Sequence, residues 1–248
     1  MCGASRGLGC ACAISLARAD CTVIVNGIDS ARLDAAAEDI ARISNAKVIP
    51  IAADVTTHEG QQRLLEACPE PDIRVTNAGG PPYKDFRELD REAMLKGVTA
   101  NMVTPIELIQ RTVDGMVQRQ FGRIVNITSV SVKMPVFGLD LSSGSRAGLT
   151  AFLAGVSRSV AHANVTVNNI LPVFFDTDCF RSGVTANAAV LGKTEQEMRM
   201  EREGEVPAKR IGRPEEFGDA CAFLCSAQAS YITGQNLLLD GGSHNSAF

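Results

Sequence analysis

Short apolar runs alternate with longer helical patterns along this chain, and that alternation limits the possible folds more than any other feature. The runs cover residues 21–26, 47–52, 73–76, 123–128, 165–171 and 236–239. Helical periodicity fills 7–19, 29–44, 57–67, 88–119, 142–162 and 214–226. Strands separated by helices pair in parallel and are covered on both faces. Segments such as Thr22-Val-Ile-Val are continuously apolar, as a strand buried on two sides must be. Right-handed crossovers then produce an α/β fold, a doubly wound parallel sheet with helices on both faces. No linker or internal repeat divides residues 1–248, so a single domain is expected.

Composition narrows the function. The apolar fraction is 45% and the charged fraction 21%, which excludes disorder and permits a large core. A net charge of −4 argues against nucleic acid or an anionic membrane as the main partner. No run of about 18 uncharged apolar residues is present, so no membrane span is expected. Without an export signal the chain reads as cytoplasmic, with reduced thiols. Cys2, Cys10, Cys12, Cys21, Cys68, Cys179, Cys221 and Cys225 form no Cys-x-x-Cys pair and no Cys/His cluster. They read as small buried hydrophobes, and no metal site is expected.

Ligands of doubly wound sheets bind beyond the carboxyl ends of the strands. The chain opens Cys2-Gly3-Ala4-Ser5-Arg6-Gly7-Leu8-Gly9 and then runs into a small-residue helix. Such glycines leave backbone N–H groups free to approach a phosphate, and the helix turns its positive end toward it. Ordinary tight turns use the same residues. Only Met1 and Cys2 precede Gly3, so the first strand, which should deliver the chain into this turn, is missing from the sequence. A truncated sequence or a compensating rearrangement would each account for that.

The run at 21–26 ends Val25-Asn26-Gly27-Ile28-Asp29. Its tip carries Gly27 rather than an acid that would hold ribose hydroxyls and repel a 2′-phosphate. Arg6 is placed to meet such a phosphate. Both favour NADP, with NAD as the alternative if Asp29 bends back; the other role for Asp29 is a helix N-cap. Residues 174–213 break the rhythm with many charges, and read either as a solvated helical excursion or as a lid over the strand ends.

Further motifs follow in order: Asp54-Val55, Asn77-Ala78-Gly79, Asn101 in a long helix, Gly122-Arg-Ile-Val-Asn-Ile-Thr-Ser129, Pro172 to Thr177, Arg213-Pro-Glu-Glu, and Ile232-Thr-Gly-Gln with Asp240-Gly-Gly. Together with the glycine-rich start they resemble the short-chain dehydrogenase/reductase family, nearest its 3-oxoacyl-carrier-protein reductases. The resemblance covers the chain from residue 2 onward. It implies a Rossmann-like dinucleotide-binding domain. Gly3, Ser5, Arg6, Gly7, Leu8, Gly9 and Asn26 would hold the phosphate side of the cofactor. Asp54 and Val55 would meet adenine, with Asn77, Ala78 and Gly79 beside them. Pro172 and Thr177 would lie on the nicotinamide side. Ser129 would bind the substrate carbonyl, and Asn101 would hold a water in a proton path.

The departure lies at the chemistry. The family places tyrosine 13 residues after the serine and lysine four residues later. Here those positions are Ser142 and Arg146, and Arg146-Ala-Gly-Leu matches the stretch that follows the lysine. A serine hydroxyl is a far weaker acid than tyrosine, whose free pKa is about 10. Arginine does not relay protons as lysine can, but it remains a fixed cation able to hold the nicotinamide ribose or a developing oxyanion.

Other candidate proton donors are few. Tyr231 reads as packing. Tyr83, after Gly79-Gly80-Pro81-Pro82, reads as an exposed loop aromatic that could lean into the pocket. Asp140 reads as a surface carboxylate that could act if desolvated. His58, His162 and His244 occupy no motif position. The leading reading is an NAD(P)-dependent oxidoreductase of a small carbonyl or alcohol with an atypical site. The alternative is a repurposed dinucleotide-binding sensor or scaffold. The resemblance also implies a homo-oligomer, dimer or tetramer, through helices 88–119 and 142–162, the last strand and the 241–248 tail.

Overall fold

The computed structural model describes residues 1–81 and 83–246. The six expected strands form: β1 Val23–Gly27, β2 Val48–Ala52, β3 Ile73–Thr76, β4 Gly122–Ile127, β5 Val165–Pro172 and β6 Asn236–Leu239. All neighbours are parallel, with β1 beside β2 and then β3-β4-β5-β6 in order. Between them run α1 Gly7–Arg18, α2 Ser30–Ser44, α3 His58–Ala67, α4 Arg91–Val98, α5 Thr104–Gln110, α6 Val113–Gln118, α7 Asp140–Val160, α8 Asp178–Leu191, α9 Glu195–Glu205 and α10 Pro214–Cys225.

The period-two alternation of the strands divides the core. On β4, Ile124 packs with Met116, Leu149 and Leu153 from α6 and α7. Its neighbour Val125 packs on the opposite face with Leu16 and Phe217 from α1 and α10. Both faces of the doubly wound sheet are therefore covered, and its strand ends remain for chemistry.

The stretch 88–119, expected as one helix, is broken. A π turn over Thr99–Val103 separates α4 from α5, and Thr112 separates α5 from α6. Pro105 gives the reason. It lacks the N–H that would bond to Asn101, and its ring crowds that carbonyl, so the ladder widens there. At the second break the Thr112 hydroxyl donates to the Leu108 carbonyl at 2.9 Å.

The missing first strand has a structural counterpart. Among the described residues no backbone bond joins β1 to β3 directly; Met1–Ala4 lies between them. The Met1 ammonium donates to the Ile24 carbonyl (2.8 Å), and Asn26 N–H donates to the Met1 carbonyl (2.9 Å). Cys2 N–H donates to the Val75 carbonyl (3.0 Å), and Ala4 N–H to that of Asn26 (2.9 Å). These few rungs carry the sheet across the gap and deliver the chain into the glycine turn.

Two packing expectations need correction. Cys2, Cys12, Cys221 and Cys225 are buried, but Cys179 is exposed on the first turn of α8. Tyr231, expected to pack, stands fully in solvent because it sits on the turn that leads from α10 to β6. Of the 241–248 tail, residues 247 and 248 lie outside the described residues, as does Pro82 of the loop before Tyr83. Among the described residues, no helix is long and apolar enough to cross a membrane.

Helix α10 lies tightly against α1 because position 218 has no side chain. A Cβ on Gly218 would stand 2.5 Å from the Ala11 carbonyl oxygen and 2.6 Å from Ser15 Oγ. Gly218→Ala is expected to destabilise the fold by about 1–3 kcal/mol. Thermal unfolding followed by circular dichroism should then show a Tm lower by roughly 2–4 °C for each kcal/mol. An unchanged Tm would mean that the two helices separate at no cost.

Candidate active site

The strand ends gather four groups of residues. The first is the glycine turn. Gly3 and Gly7 have φ of +58° and +59°, where glycine is unstrained. A Cβ on Gly9 would collide with the Gly3 carbonyl, and one on Gly3 would stand 2.6 Å from Asn77 Nδ2. Asn77 Nδ2 donates to the Gly3 carbonyl at 3.1 Å, which locks the loop after β3 to the turn. The amino end of α1 has no side-chain cap and no acidic residue in its first turn. Its N–H groups are open to an anion.

The second group is the tip of β1. Gly27 leaves Ser5 uncovered, since a Cβ there would stand 3.3 Å from Ser5 Cβ. Asp29 caps α2, accepting from Arg32 N–H at 3.1 Å, as its N-cap reading anticipated. Asn26 is buried and donates both amide hydrogens along β2, to the Ile51 carbonyl within it and the Ala53 carbonyl just past its end, at 2.9 Å each. Those hydrogens belong to the sheet and are not available to a ligand. Asp54 is exposed and accepts from Thr56 N–H at 2.9 Å; Val55 follows it, half-buried.

The third group surrounds α7. Helix α7 places Ser142 and Arg146 one turn apart on its buried face. Arg146 Nη1 donates to the Ile127 carbonyl (2.9 Å) and the Thr128 carbonyl (3.1 Å). Its Nη2 donates to the Ala78 carbonyl (3.2 Å), and its Nε to Ser142 Oγ (3.3 Å). Burial lowers the guanidinium pKa to about 10, so it stays charged at neutral pH. Ser129 Oγ accepts from Ser131 N–H at 3.1 Å, which leaves its own hydrogen to donate. Gly97 brings the π turn against the start of α7, for a Cβ there would stand 2.7 Å from Leu141. Asn101, in that turn, donates to the Gly97 carbonyl at 3.1 Å, while its buried Oδ1 has no partner.

The fourth group is the segment after β5. Thr177 caps α8 and lies over Gly7, 3.7 Å from the place of a Cβ there. Pro172 ends β5 beside Leu239. Asp176, which sequence reasoning missed, anchors the segment. It accepts from Arg181 at 2.7 Å and from Arg199 at 3.1 Å, and Arg199 also reaches Glu203 at 2.9 Å. The signal was an acid at the root of the excursion, followed by arginines on both of its helices. Of the other donors weighed, Tyr83 is exposed at 71%, and Asp140 and His58 are exposed too. The glycine turn, the loop after β3, the end of β4, α7 and Thr177 thus converge; Asn101 sits in the π turn that packs against α7.

The model of a family described as Enoyl-(Acyl carrier protein) reductase matches residues 3–244. The chain is 34% identical to the 3-oxoacyl-[acyl-carrier-protein] reductase FabG of Aquifex aeolicus (strain VF5), over 97% of this chain and 94% of that protein. It is 32% identical to the NADPH-dependent reductase BacG of Bacillus subtilis (strain 168), over 98% and 96%.

The chain belongs to the short-chain dehydrogenase/reductase family.

Solved structures of this family superpose closely. YwfH, an NADPH-dependent reductase involved in bacilysin biosynthesis, gives a TM-score of 0.92 at 31% identity, covering 99% of this chain and 97% of its own. L-sorbose reductase from Gluconobacter frateurii, complexed with NADPH and L-sorbose, gives 0.94 at 25% identity, covering 99% and 95%.

Within the family fold, helices α8 and α9 form a small satellite body around Val184, Ala188 and Met198. The Arg199 guanidinium beside Asp176, with Arg181 adding to it, holds that carboxyl below the usual range. The carboxylate's contribution is fully present above the unfolded pKa of about 3.9 and is lost as pH falls through the lower folded value. Asp176→Asn is expected to raise amide exchange in α8 and α9 at neutral pH while sparing the sheet. Acidifying the wild type below about pH 4 should do the same. Unaltered exchange in the variant would show that the apolar contacts alone hold these helices.

Proposed function

We propose that the chain is an NADP-dependent oxidoreductase of a small carbonyl or alcohol, with Ser142 and Arg146 standing where the family has its tyrosine and lysine. The observation that carries the reading is the Gly3 to Gly9 turn leading into α1, whose start has no side-chain cap and no acid in its own first turn, in a chain similar over nearly its full length to NADPH-dependent reductases. Residues 1–248 act as one domain, with 174–213 as its lid.

The residues present fit a dinucleotide. Gly3, Ser5, Gly7, Leu8 and Gly9 surround the pyrophosphate place, and a side chain at Gly3 or Gly9 would break the turn that shapes it by colliding with Asn77 or the Gly3 carbonyl. Arg6 is exposed at the N-cap of α1, and the tip at Gly27 carries no acid, so a 2′-phosphate meets a cation and no repulsion. Asp54 and Val55 lie on the adenine side; Asn77, Ala78, Gly79, Pro172 and Thr177 line the way to the nicotinamide. Asn26 shapes this wall through β2 rather than by donating to the cofactor.

When bound, the nicotinamide supplies hydride chemistry. This chain's own residues position and polarise. The Ser129 hydroxyl donates to the substrate oxygen. Arg146 tethers the end of β4 to the loop after β3 and directs one N–H at Ser142. The unpartnered Asn101 Oδ1 holds a water behind α7. A cytoplasmic homo-oligomer completes the reading: Leu95, Val103 and Phe152 are exposed apolar residues on α4, the π turn and α7. The second reading, a binding protein without turnover, draws support from Arg146, whose carbonyl bonds suit a structural tie as well.

NADPH is expected to raise the Tm of the purified protein. Arg6→Ala should weaken NADPH binding about tenfold, as loss of one charged hydrogen bond does, and NADH binding far less. Equal losses for both would place the 2′-phosphate elsewhere. No binding of either cofactor would end the proposal.

A tyrosine at 142 with a lysine at 146 restores the family's acid. The double variant S142Y/R146K is expected to gain ketone reduction by about 100-fold, the scale of general-acid catalysis. Steady-state assays on a ketone panel measure it; a folded double variant with no gain would mean that the pocket no longer presents a carbonyl to position 142.

A further inference from the structure

We infer that the substrate is a 2-oxo acid, with its carboxylate paired to Arg146 and its keto oxygen held by the Ser129 hydroxyl. The inference rests on the oxidoreductase reading and names the substrate class of that site.

A charge taken out of water is costly unless an opposite charge meets it. Arg146 is 7% exposed and stays protonated at neutral pH. Burial alone moves its pKa, so no neighbouring acid among the described residues offsets its charge. Asp140, six residues before it on α7, is exposed. Arg74 and Arg123 are also buried without a carboxylate partner, but they lie near the amino ends of β3 and β4. Ligands of such sheets bind at the opposite edge, where Arg146 stands. The missing anion is therefore one that a ligand brings.

The hydrogen bonds leave a place for it. A guanidinium has five hydrogens. Those on Nη1 go to the Ile127 and Thr128 carbonyls, that on Nε to Ser142 Oγ, and one on Nη2 to the Ala78 carbonyl. The second Nη2 hydrogen has no acceptor among the described residues. The space beside it is open: a Cβ on Gly80 would meet only Nη2, at 3.9 Å, and one on Gly79 would meet nothing within 4 Å. Ser142 accepts from Nε at 3.3 Å and keeps its own hydrogen for a ligand. A carboxylate has two oxygens for these two donors. A ribose hydroxyl would also accept from Nη2, but it brings no charge. Because Arg146 is bonded to Ile127 and Thr128, it lies next to Ser129. Anchors that close together fit a carboxylate and a carbonyl on adjacent carbons.

The step balances. The keto carbon gains a hydride from the dihydronicotinamide, and the carbonyl π pair settles on the oxygen at Ser129. That oxygen takes a proton from water. The net change is one carbonyl reduced to a carbinol, one dihydronicotinamide oxidised and one proton consumed. The carboxylate is unchanged.

Two measurements test this. The first compares 2-oxobutanoate, 2-oxobutanamide and butanone in steady-state oxidation of NADPH. They differ only in the group on the keto carbon: carboxylate, amide or methyl. The expected kcat/KM is at least about tenfold higher for the acid than for the amide, the scale of one charged hydrogen bond. The expected product is 2-hydroxybutanoate. Equal or faster turnover of the amide or the ketone overturns the inference and leaves the oxidoreductase reading intact. NADPH binding without turnover of the acid also overturns it. Failure to bind NADPH removes the underlying reading as well.

The second measurement needs no turnover. Oxamate carries a carboxylate beside an amide carbonyl that nicotinamide does not reduce. It is titrated calorimetrically into protein saturated with NADPH, beside chloride as a plain anion. Oxamate is expected to bind at least about tenfold more tightly than chloride. Arg146→Lys should keep part of that affinity and Arg146→Met none. Gly80→Asp leaves Arg146 and its carbonyl bonds in place and sets a carboxylate of the protein's own beside Nη2. It should weaken oxamate about tenfold or more while circular dichroism shows the fold unchanged. No binding of oxamate, chloride binding as tightly, or oxamate affinity that survives Gly80→Asp overturns the inference.

Discussion

A guanidinium carried into a protein interior must find hydrogen-bond acceptors there, and in this fold the strand ends are built around that demand. Burying an unpaired cation costs several kcal/mol. Among the described residues Arg146 has no carboxylate partner; its acceptors are carbonyls and one serine hydroxyl. The carbonyls of Ile127 and Thr128 close β4, and that of Ala78 belongs to the loop beyond β3. One side chain on α7 therefore sets the spacing of the two strand ends and the helix that carries Ser142. Lysine has three donors on a rotating ammonium. Arginine holds five in a planar fork, which is why it can reach two backbone segments and the Ser142 side chain at once.

The phosphate side depends on a second economy of contacts. Met1–Ala4 supplies only a few rungs between β1 and β3, yet the glycine turn grows directly from them. Asn77 then holds Gly3 from the β3 side, and Ala4 is tied to Asn26 on the β1 side. Because Gly9 approaches the Gly3 carbonyl too closely for any side chain, the first turn of α1 is pressed onto this frame. The orientation of its free N–H groups follows from backbone packing alone, so an anion is met by groups already in place.

The strands were legible as short, largely apolar runs between longer helical patterns, and β3 and β6 fall where that pattern places them. The break in 88–119 was less legible. Helical periodicity continues across it, and only Pro105 signals the missing hydrogen bond. The register of Ser142 and Arg146 came from a resemblance, but their surroundings did not. The partners of Arg146 are backbone carbonyls, which carry no residue identity and leave no trace in a sequence. Asn26 shows the same limit: its place at a strand tip suggested a ligand contact, whereas its amide is consumed by β2. Tyr231 looked like packing because aromatics usually are, and only the path of the turn puts it in water.

In the proposed lid role, the segment after β5 connects this rigid frame to turnover. Its helices bury a separate cluster, Val184, Ala188 and Met198, which shares no core residue with the bodies on either face of the sheet. Its anchor at Asp176 is made of partly exposed ion pairs, each worth little alone. Such a segment opens at lower free energy than the sheet does. An oxyanion is held well only when water is kept out, because screening by solvent weakens every donor around it. A permanently closed cover would trap the product. Under that proposal, a preorganised floor fixed by Arg146 and a cover held largely by surface charges and a small apolar cluster meet both requirements with different parts of the chain.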